Sequence, residues 1–216
     1  MTQLIYVADP MCSWCYGFGP ELQALLDSMP DAELDILVGG LRAYNKEPLS
    51  DELRQTLHQH WKHVTEASGL PFSEAAMGQP GFIYDTEPAC RAFVAAKMVA
   101  DHLTVRQLLP VFHAIQRAFY AQGADVTDLA QLAVIVTDAL NQIDGAGSFD
   151  AESFLETLNS PACMMATQQE FQQCQRWDIR GFPTLLLLHQ NALHMVASGY
   201  TKTASLQAAI SQVKEA

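Results

Sequence analysis

Cys12-Ser13-Trp14-Cys15 stands three residues after an apolar run, Leu4-Ile5-Tyr6-Val7-Ala8, and precedes a stretch that reads as a helix. Two cysteines at this spacing, at a strand-to-helix junction, constrain the fold and the chemistry together. A thiolate rather than a thiol attacks a disulfide, and the backbone N–H groups of a helix's first turn stabilise negative charge. Cys12 is therefore expected to be the acidic, exposed, attacking sulfur. Cys15, one helical turn on, is close enough to close a bond on Cys12 and release whatever Cys12 has captured.

At 216 residues the chain is long for one compact domain, which favours one domain carrying an insertion or two small domains sharing a core. Its formal charge of -12 and pI near 4.8 argue against nucleic acid or an anionic membrane surface as a partner, since both would repel it. No uninterrupted apolar run reaches the roughly 20 residues that span a bilayer. The N-terminal residues show no basic segment or small-residue cleavage site, so a cytoplasmic protein is expected. In that compartment five cysteines do not read as a structural disulfide framework. Nor do they read as a metal site, because Cys90, Cys163 and Cys174 supply no second CxxC. His58, His60 and His63 lie beside the apolar stripe Leu53, Leu57, Trp61, Val64 and read as a solvated helix face.

The first forty or so residues read as strand, CxxC turn, helix from Glu21 to about Met29, and a second strand Leu34 to Val38 closed by Gly39-Gly40. From Ser50 to about Trp177 the pattern is helical, with starts at Ser50, Thr86, Thr104, Thr127-Asp128, Asp150 and Ser160-Pro161. Gly69-Leu70-Pro71, Gly78-Gln79-Pro80-Gly81 and Asp144-Gly145-Ala146-Gly147 read as loops, and Pro110 as the start or kink of a helix. Strand signal returns at Thr184–Leu188 and Leu193–Ala197 with a turn at Gln190-Asn191, followed by a helix from Ala204 to about Val213. The expected architecture is α/β, with a helical segment, 46–177, interrupting a domain formed by 1–45 and 178–216.

Just before the returning strand stands Arg180-Gly181-Phe182-Pro183-Thr184. A proline at a strand's first position removes no ladder hydrogen bond, and X-Pro bonds alone form cis peptides at low cost. The order strand, CxxC helix, strand, Phe-Pro-Thr, strand hairpin and closing helix resembles the thioredoxin fold, and a large all-helical insertion between its halves resembles the DsbA family. Asp9-Pro10-Met11-Cys12-Ser13-Trp14-Cys15-Tyr16-Gly17-Phe18, Thr86-Glu87-Pro88-Ala89-Cys90-Arg91-Ala92 and Gly181-Phe182-Pro183-Thr184 are similar to the corresponding motifs of cytoplasmic DsbA-like dithiol/disulfide isomerases.

That resemblance implies a thiol/disulfide oxidoreductase, a reductase or isomerase of protein or small disulfides. Cys12 would be the nucleophile, Cys15 the resolving thiol and Pro183 a cis-proline packed against the pair. Trp14, Phe182 and Thr184 would flank the substrate, with backbone around Phe182 offering hydrogen bonds to an extended peptide. The implied partners are disulfide-containing proteins or peptides, with glutathione as a further candidate; no cofactor, metal, nucleic acid or membrane is implied. The Ser-Trp dipeptide between the cysteines departs from the Pro-His of strongly oxidising members and points toward reductase or isomerase work. Two other classes share features with this reading. The kappa-class glutathione transferases and hydroxychromene-carboxylate isomerases have the same kind of helical insertion, but generally a serine where this chain has Cys12. A peptide-binding module would use the groove and keep its cysteines as a redox-sensitive latch.

Of the residues around the CxxC, Trp14 is expected to be exposed and Phe18 to be core, while Glu21 reads as a surface glutamate in preference to a proton relay. Cys90 reads as a buried small hydrophobe in preference to a third redox thiol. Cys163 and Cys174, about 16 Å apart if they share one helix, cannot pair and are expected to pack.

Overall fold

The computed structural model describes residues 2–215, and the unbroken apolar run at its start becomes the first strand of a four-stranded sheet of order β2-β1-β3-β4. β1 (Gln3–Ala8) runs parallel to β2 (Glu33–Val38) and antiparallel to β3 (Thr184–His189). β4 (Ala192–Ser198) returns antiparallel to β3 through Gln190 and Asn191, both with positive φ. Leu4, Tyr6 and Ala8 point into the main core, while Ile5 and Val7 join Leu37, Leu186 and Cys174 in a smaller cluster on the other face. Both faces of β1 are thus apolar, which is why its sequence reads as an unbroken run rather than an alternation.

α1 (Ser13–Asp27) follows β1 directly. It begins at Ser13 rather than at Glu21 as the sequence predicts, and runs through Gly17, Gly19 and Pro20. The glycines serve packing: a Cβ on Gly17 would stand 2.5 Å from Val64 Cγ1 of α2 (Asp51–Ser68). Between β2 and β3 the helices are α2, α3 (Glu87–Val99), α4 (Val105–Tyr120), α5 (Leu129–Leu140), α6 (Ala151–Leu158) and α7 (Pro161–Arg176). Ser50, Thr104, Asp128, Asp150 and Ser160 each accept a backbone N–H at a helix start, and Thr104 with Gln107 forms a full capping box. Thr86 stands at the start of α3 but accepts Arg42 N at 3.1 Å instead of capping its own helix. Pro110 lies inside α4. α8 (Thr203–Glu215) closes the chain against β4, β3 and α1.

Two polar anchors join the helical stretch to the sheet. Arg106 of α4 donates to the carbonyls of Leu26, Met29, Pro30 and Ala32 at 2.7–3.1 Å, collecting acceptors at the C-terminus of α1 and the turn into β2. At the outer edge of β2, Glu170 Oε2 accepts Val38 N at 2.9 Å and Lys97 Nζ donates to Ile36 O at 3.0 Å, while Lys97 and Glu170 pair with each other. The carboxylate and ammonium take the places a neighbouring strand would fill.

Candidate active site

Cys12 is the N-cap residue of α1, in extended conformation with its own N–H donated to Asp9 O at 3.0 Å. Its Sγ donates to the carbonyl oxygen of Phe182 at 3.6 Å. Cys15 is fully buried, one turn along on the core side of the helix. Burial first, then hydrogen bonding to Cys12, pushes the Cys15 thiol well above the usual range, so at neutral pH it is a thiol. All five cysteines are free. Cys12 retains only 6% exposure, a correction to the exposed sulfur expected from sequence: the Phe182 loop, 170 residues away in the chain, closes against it.

The Phe182–Pro183 peptide is cis, and Pro183 O accepts Gly199 N at 2.7 Å, fastening the loop to the end of β4. Thr184 is buried and its hydroxyl donates to Gly181 O at 2.9 Å, so that side chain is used within its own loop. The Phe182 ring lies over Gly39: a Cβ there would fall 2.0 Å from the ring's Cζ. Gly40, with φ +64, lies under Phe171 in the same way. The Gly39-Gly40 pair at the end of β2 therefore admits two aromatic rings that any larger residue would displace.

A match to the DSBA-like thioredoxin domain spans residues 3–211, nearly the whole chain. The chain belongs to the DsbA-like thioredoxin family. It has the fold of the DsbA-like thiol–disulfide oxidoreductases. A protein from Nitrosomonas europaea, provisionally named a protein disulfide isomerase, is 32% identical with TM-score 0.85 over 99% of this chain and 98% of that one. The cytosolic disulfide reductase DsbM of Pseudomonas aeruginosa is similar in fold at 22% identity and TM-score 0.75, over 99% of this chain and 100% of its own. DsbM has also been solved with glutathione. A 2-hydroxychromene-2-carboxylate isomerase shares the fold at 13% identity and TM-score 0.66, covering 99% of this chain and 96% of its own. No curated protein sequence matches the chain.

In this DsbA-like frame the loop before the CxxC is built on Asp9, a residue whose importance the sequence did not reveal. Asp9 is fully buried; its Oδ1 accepts Met11 N at 2.8 Å, and its Oδ2 accepts Leu41 N at 2.7 Å and the Cys90 thiol at 3.4 Å. Burial raises the Asp9 pKa against these hydrogen bonds. Burial, then the Asp9 charge, pushes the Cys90 thiol well up, so Cys90 stays a donor. The Thr86–Ala92 motif thus contributes a buried thiol to the floor of the CxxC loop, as expected of a small buried residue. On the opposite side Tyr84 donates to Met11 O, and its hydroxyl lies 3.4 Å from that of Tyr120. Tyr16 stacks on Tyr120 at 5.1 Å, within an aromatic cluster that also contains Trp61 and Phe72.

Met11, Tyr16 and Phe18 are buried. Trp14 is half-buried rather than exposed, with its ring 5.8 Å from that of Tyr200. Glu21 is not a free surface carboxylate: it accepts from Tyr200 Oη (3.1 Å), Thr203 N (2.8 Å) and Thr203 Oγ1 (2.6 Å), and pairs with Lys202 at 3.0 Å. Burial pushes its pKa up, but the bonds from Thr203, Lys202 and Tyr200 outweigh it and bring the group down to about 2. Cys163 and Cys174 lie on α7 and donate to Arg91 O and Val38 O, each at 3.6 Å. His60 and His63 are exposed on α2, and His58 lies 3.6 Å from Glu74. Among the described residues no group of three or more His, Cys, Asp and Glu side chains is placed to hold a metal ion, and no helix is long and apolar enough to cross a membrane.

Proposed function

We propose that the chain is a cytoplasmic thiol/disulfide reductase or isomerase acting through Cys12 and Cys15. The observation that carries this is the Cys12 sulfur at the N-terminus of α1 against the Phe182 carbonyl, with the buried thiol of Cys15 one turn behind. In the proposed cycle the Cys12 thiolate attacks one sulfur of a substrate disulfide, and the other sulfur leaves as a thiolate and takes up a proton. Cys15 then gives up its proton and attacks Cys12 Sγ, expelling the second substrate thiol. Two electrons pass to the substrate and a Cys12–Cys15 disulfide remains, to be reduced by a small thiol such as glutathione or by a dithiol protein. In the isomerase mode a second substrate thiol resolves the mixed disulfide before Cys15 does.

Pro183 is the positioning residue of the loop, and the Phe182 backbone is the place for an extended substrate to pair. Trp14 offers a half-buried apolar wall, and Thr184 holds the loop through Gly181. The division into a thioredoxin-like unit, 1–45 with 178–216, and an inserted helical unit, 46–177, is part of the same reading. The cytosolic assignment of DsbM and its glutathione complex support cytoplasmic location and a thiol partner. The intact cysteine pair weighs against the kappa-type transferase reading. Equilibration in glutathione buffers, with thiols counted by mass spectrometry, tests the proposal. A reversible two-electron Cys12–Cys15 couple is expected, and failure of that disulfide to form at any poise overturns it.

A further inference from the structure

The peptide unit between Met11 and Cys12 is held at both ends. Its N–H, on Cys12, donates to Asp9 O at 3.0 Å, and its carbonyl oxygen accepts the Tyr84 hydroxyl. Tyr84 stands just before α3 and Tyr120 is the last residue of α4, so both reach the CxxC loop from the helical segment. Both are buried, and their hydroxyl oxygens lie 3.4 Å apart. A phenol has one proton to give, and Tyr84 gives its own to Met11 O. The bond between the two hydroxyls therefore runs from Tyr120 to Tyr84. Each bond in such a chain polarises the next, and this chain ends on the carbonyl that precedes the Cys12 sulfur. Burial raises both phenols above the ordinary range, so they remain donors at neutral pH.

Arg42 lies on the other side of the Tyr84 ring system from solvent-free contacts. Its guanidinium carbon is 5.7 Å from the ring centre, and its backbone N–H is fixed on Thr86 Oγ1 at 3.1 Å. Among the described residues Arg42 forms no ion pair. A cation over a phenol ring draws on its electron density, which makes the O–H a stronger donor. The other titratable groups about the loop are Cys15, Tyr6, whose hydroxyl donates to Cys15 O at 3.2 Å, and Asp9 with Cys90; burial raises each of them. None of these is a cation, and the Ser-Trp dipeptide between the cysteines supplies none. A bare carbonyl oxygen one peptide away from the sulfur opposes negative charge there, and a hydrogen bond that draws off its electron density reduces that opposition.

We propose that Tyr84, backed by Tyr120 and Arg42, is a positioning residue for the nucleophile: it fixes the Met11 carbonyl and offsets its negative end, so that the Cys12 sulfur ionises and attacks more readily. The inference rests on Cys12 as the attacking sulfur of the proposed cycle. The test is the pH profile of Cys12 alkylation by iodoacetamide, in the full chain carrying Cys15→Ser, followed by peptide mass spectrometry. It reads Cys12 directly and needs no disulfide turnover, so its outcome is separate from that of the redox reading, which the Cys12–Cys15 couple tests. Adding Tyr84→Phe is expected to slow alkylation at neutral pH by about three- to tenfold and to move the profile to higher pH, the rate rejoining that of the Cys15→Ser parent at alkaline pH. Tyr120→Phe and Arg42→Gln, which leave the Tyr84 hydroxyl in place, are expected to move the profile the same way by less, and Arg42→Lys to restore most of it. These milder variants carry the same readout if Tyr84→Phe does not fold. Profiles that coincide with the parent's, or a slowing by the same factor at every pH, as simple displacement of the loop would give, overturn the proposal.

Discussion

Cys12 Sγ and the carbonyl oxygen of Phe182 lie 3.6 Å apart although 170 residues separate them in the chain. The contact joins the start of α1 to the loop before β3, and both are held from beneath: the first by Asp9, the second by the Pro183 O to Gly199 N bond. The Cys12 sulfur is therefore positioned by the ends of β1 and β4 and the loop before β3.

In the proposed cycle, replacing Cys15 by serine removes the resolving sulfur and leaves Cys12 able to attack. The Cys15→Ser protein is expected to accumulate a mixed disulfide at Cys12 when mixed with oxidised glutathione or a disulfide peptide, seen as a mass adduct that dithiothreitol reverses. Cys12→Ser is expected to form none. An adduct of equal yield on Cys12→Ser would assign the attack to another thiol.

The Phe182 ring fills the space above Gly39, so Gly39→Ala forces the ring and the Phe182–Pro183 loop off Cys12. Displacement on the ångström scale is expected to slow disulfide turnover by about 10- to 100-fold with a much smaller change in thermal stability. Adding Phe182→Leu to Gly39→Ala is expected to restore part of the rate. Unchanged turnover in Gly39→Ala would show that the loop's position does not govern the reaction.

Glu21 ties α1 to the start of α8, and its pKa of about 2 lies below the ordinary 4.5. A carboxyl lowered by folding stabilises the native state wherever it is ionised, so its contribution is full above pH 4.5 and is lost as pH falls through about 2. Wild type is expected to exceed Glu21→Gln in stability by about 1.5–3 kcal/mol at neutral pH, the range for hydrogen bonds to a charged group. Urea titrations across pH check the sign: the gap is expected to close toward pH 2.

Arg106 satisfies four carbonyls between Leu26 and Ala32. Arg106→Ala is expected to lower unfolding free energy by about 2–3 kcal/mol, less than the sum of four bonds because the freed carbonyls gain water. Denaturant unfolding measures this, and hydrogen exchange is expected to rise first at the α1 C-terminus. A loss within experimental error would mean that apolar contacts alone dock α4 on that turn.

The CxxC, the Phe-Pro-Thr loop and the order of strands and helices were legible because each rests on local residue types: paired cysteines, an X-Pro step, period-two and period-3.6 patterns. The start of α1 was not, since Gly17, Gly19 and Pro20 oppose a helix by propensity. The two glycines are present for close approach to Val64 and His113, which only the fold supplies. Asp9 was written in the motif, yet its partners Leu41 and Cys90 arrive from distant segments. The exposure of Cys12 and Trp14 was overestimated for the same reason, because Phe182 and Tyr200 come from the far end of the chain.

The cover that Lys97 and Glu170 place over Ile36 and Val38 makes the sheet one-sided as a template. Cys174 adds to it by donating to Val38 O, so the second half of β2 cannot recruit a further strand without unseating side chains from α3 and α7. Among the described residues no side chain bonds the outer edge of β4 in this way, and the strand carries Leu193 at 38% and Met195 at 56% exposure. Strand exchange between copies, or fibril growth from a partly unfolded chain, is thereby channelled to the β4 margin, where a single lysine at position 195 would act as a gatekeeper.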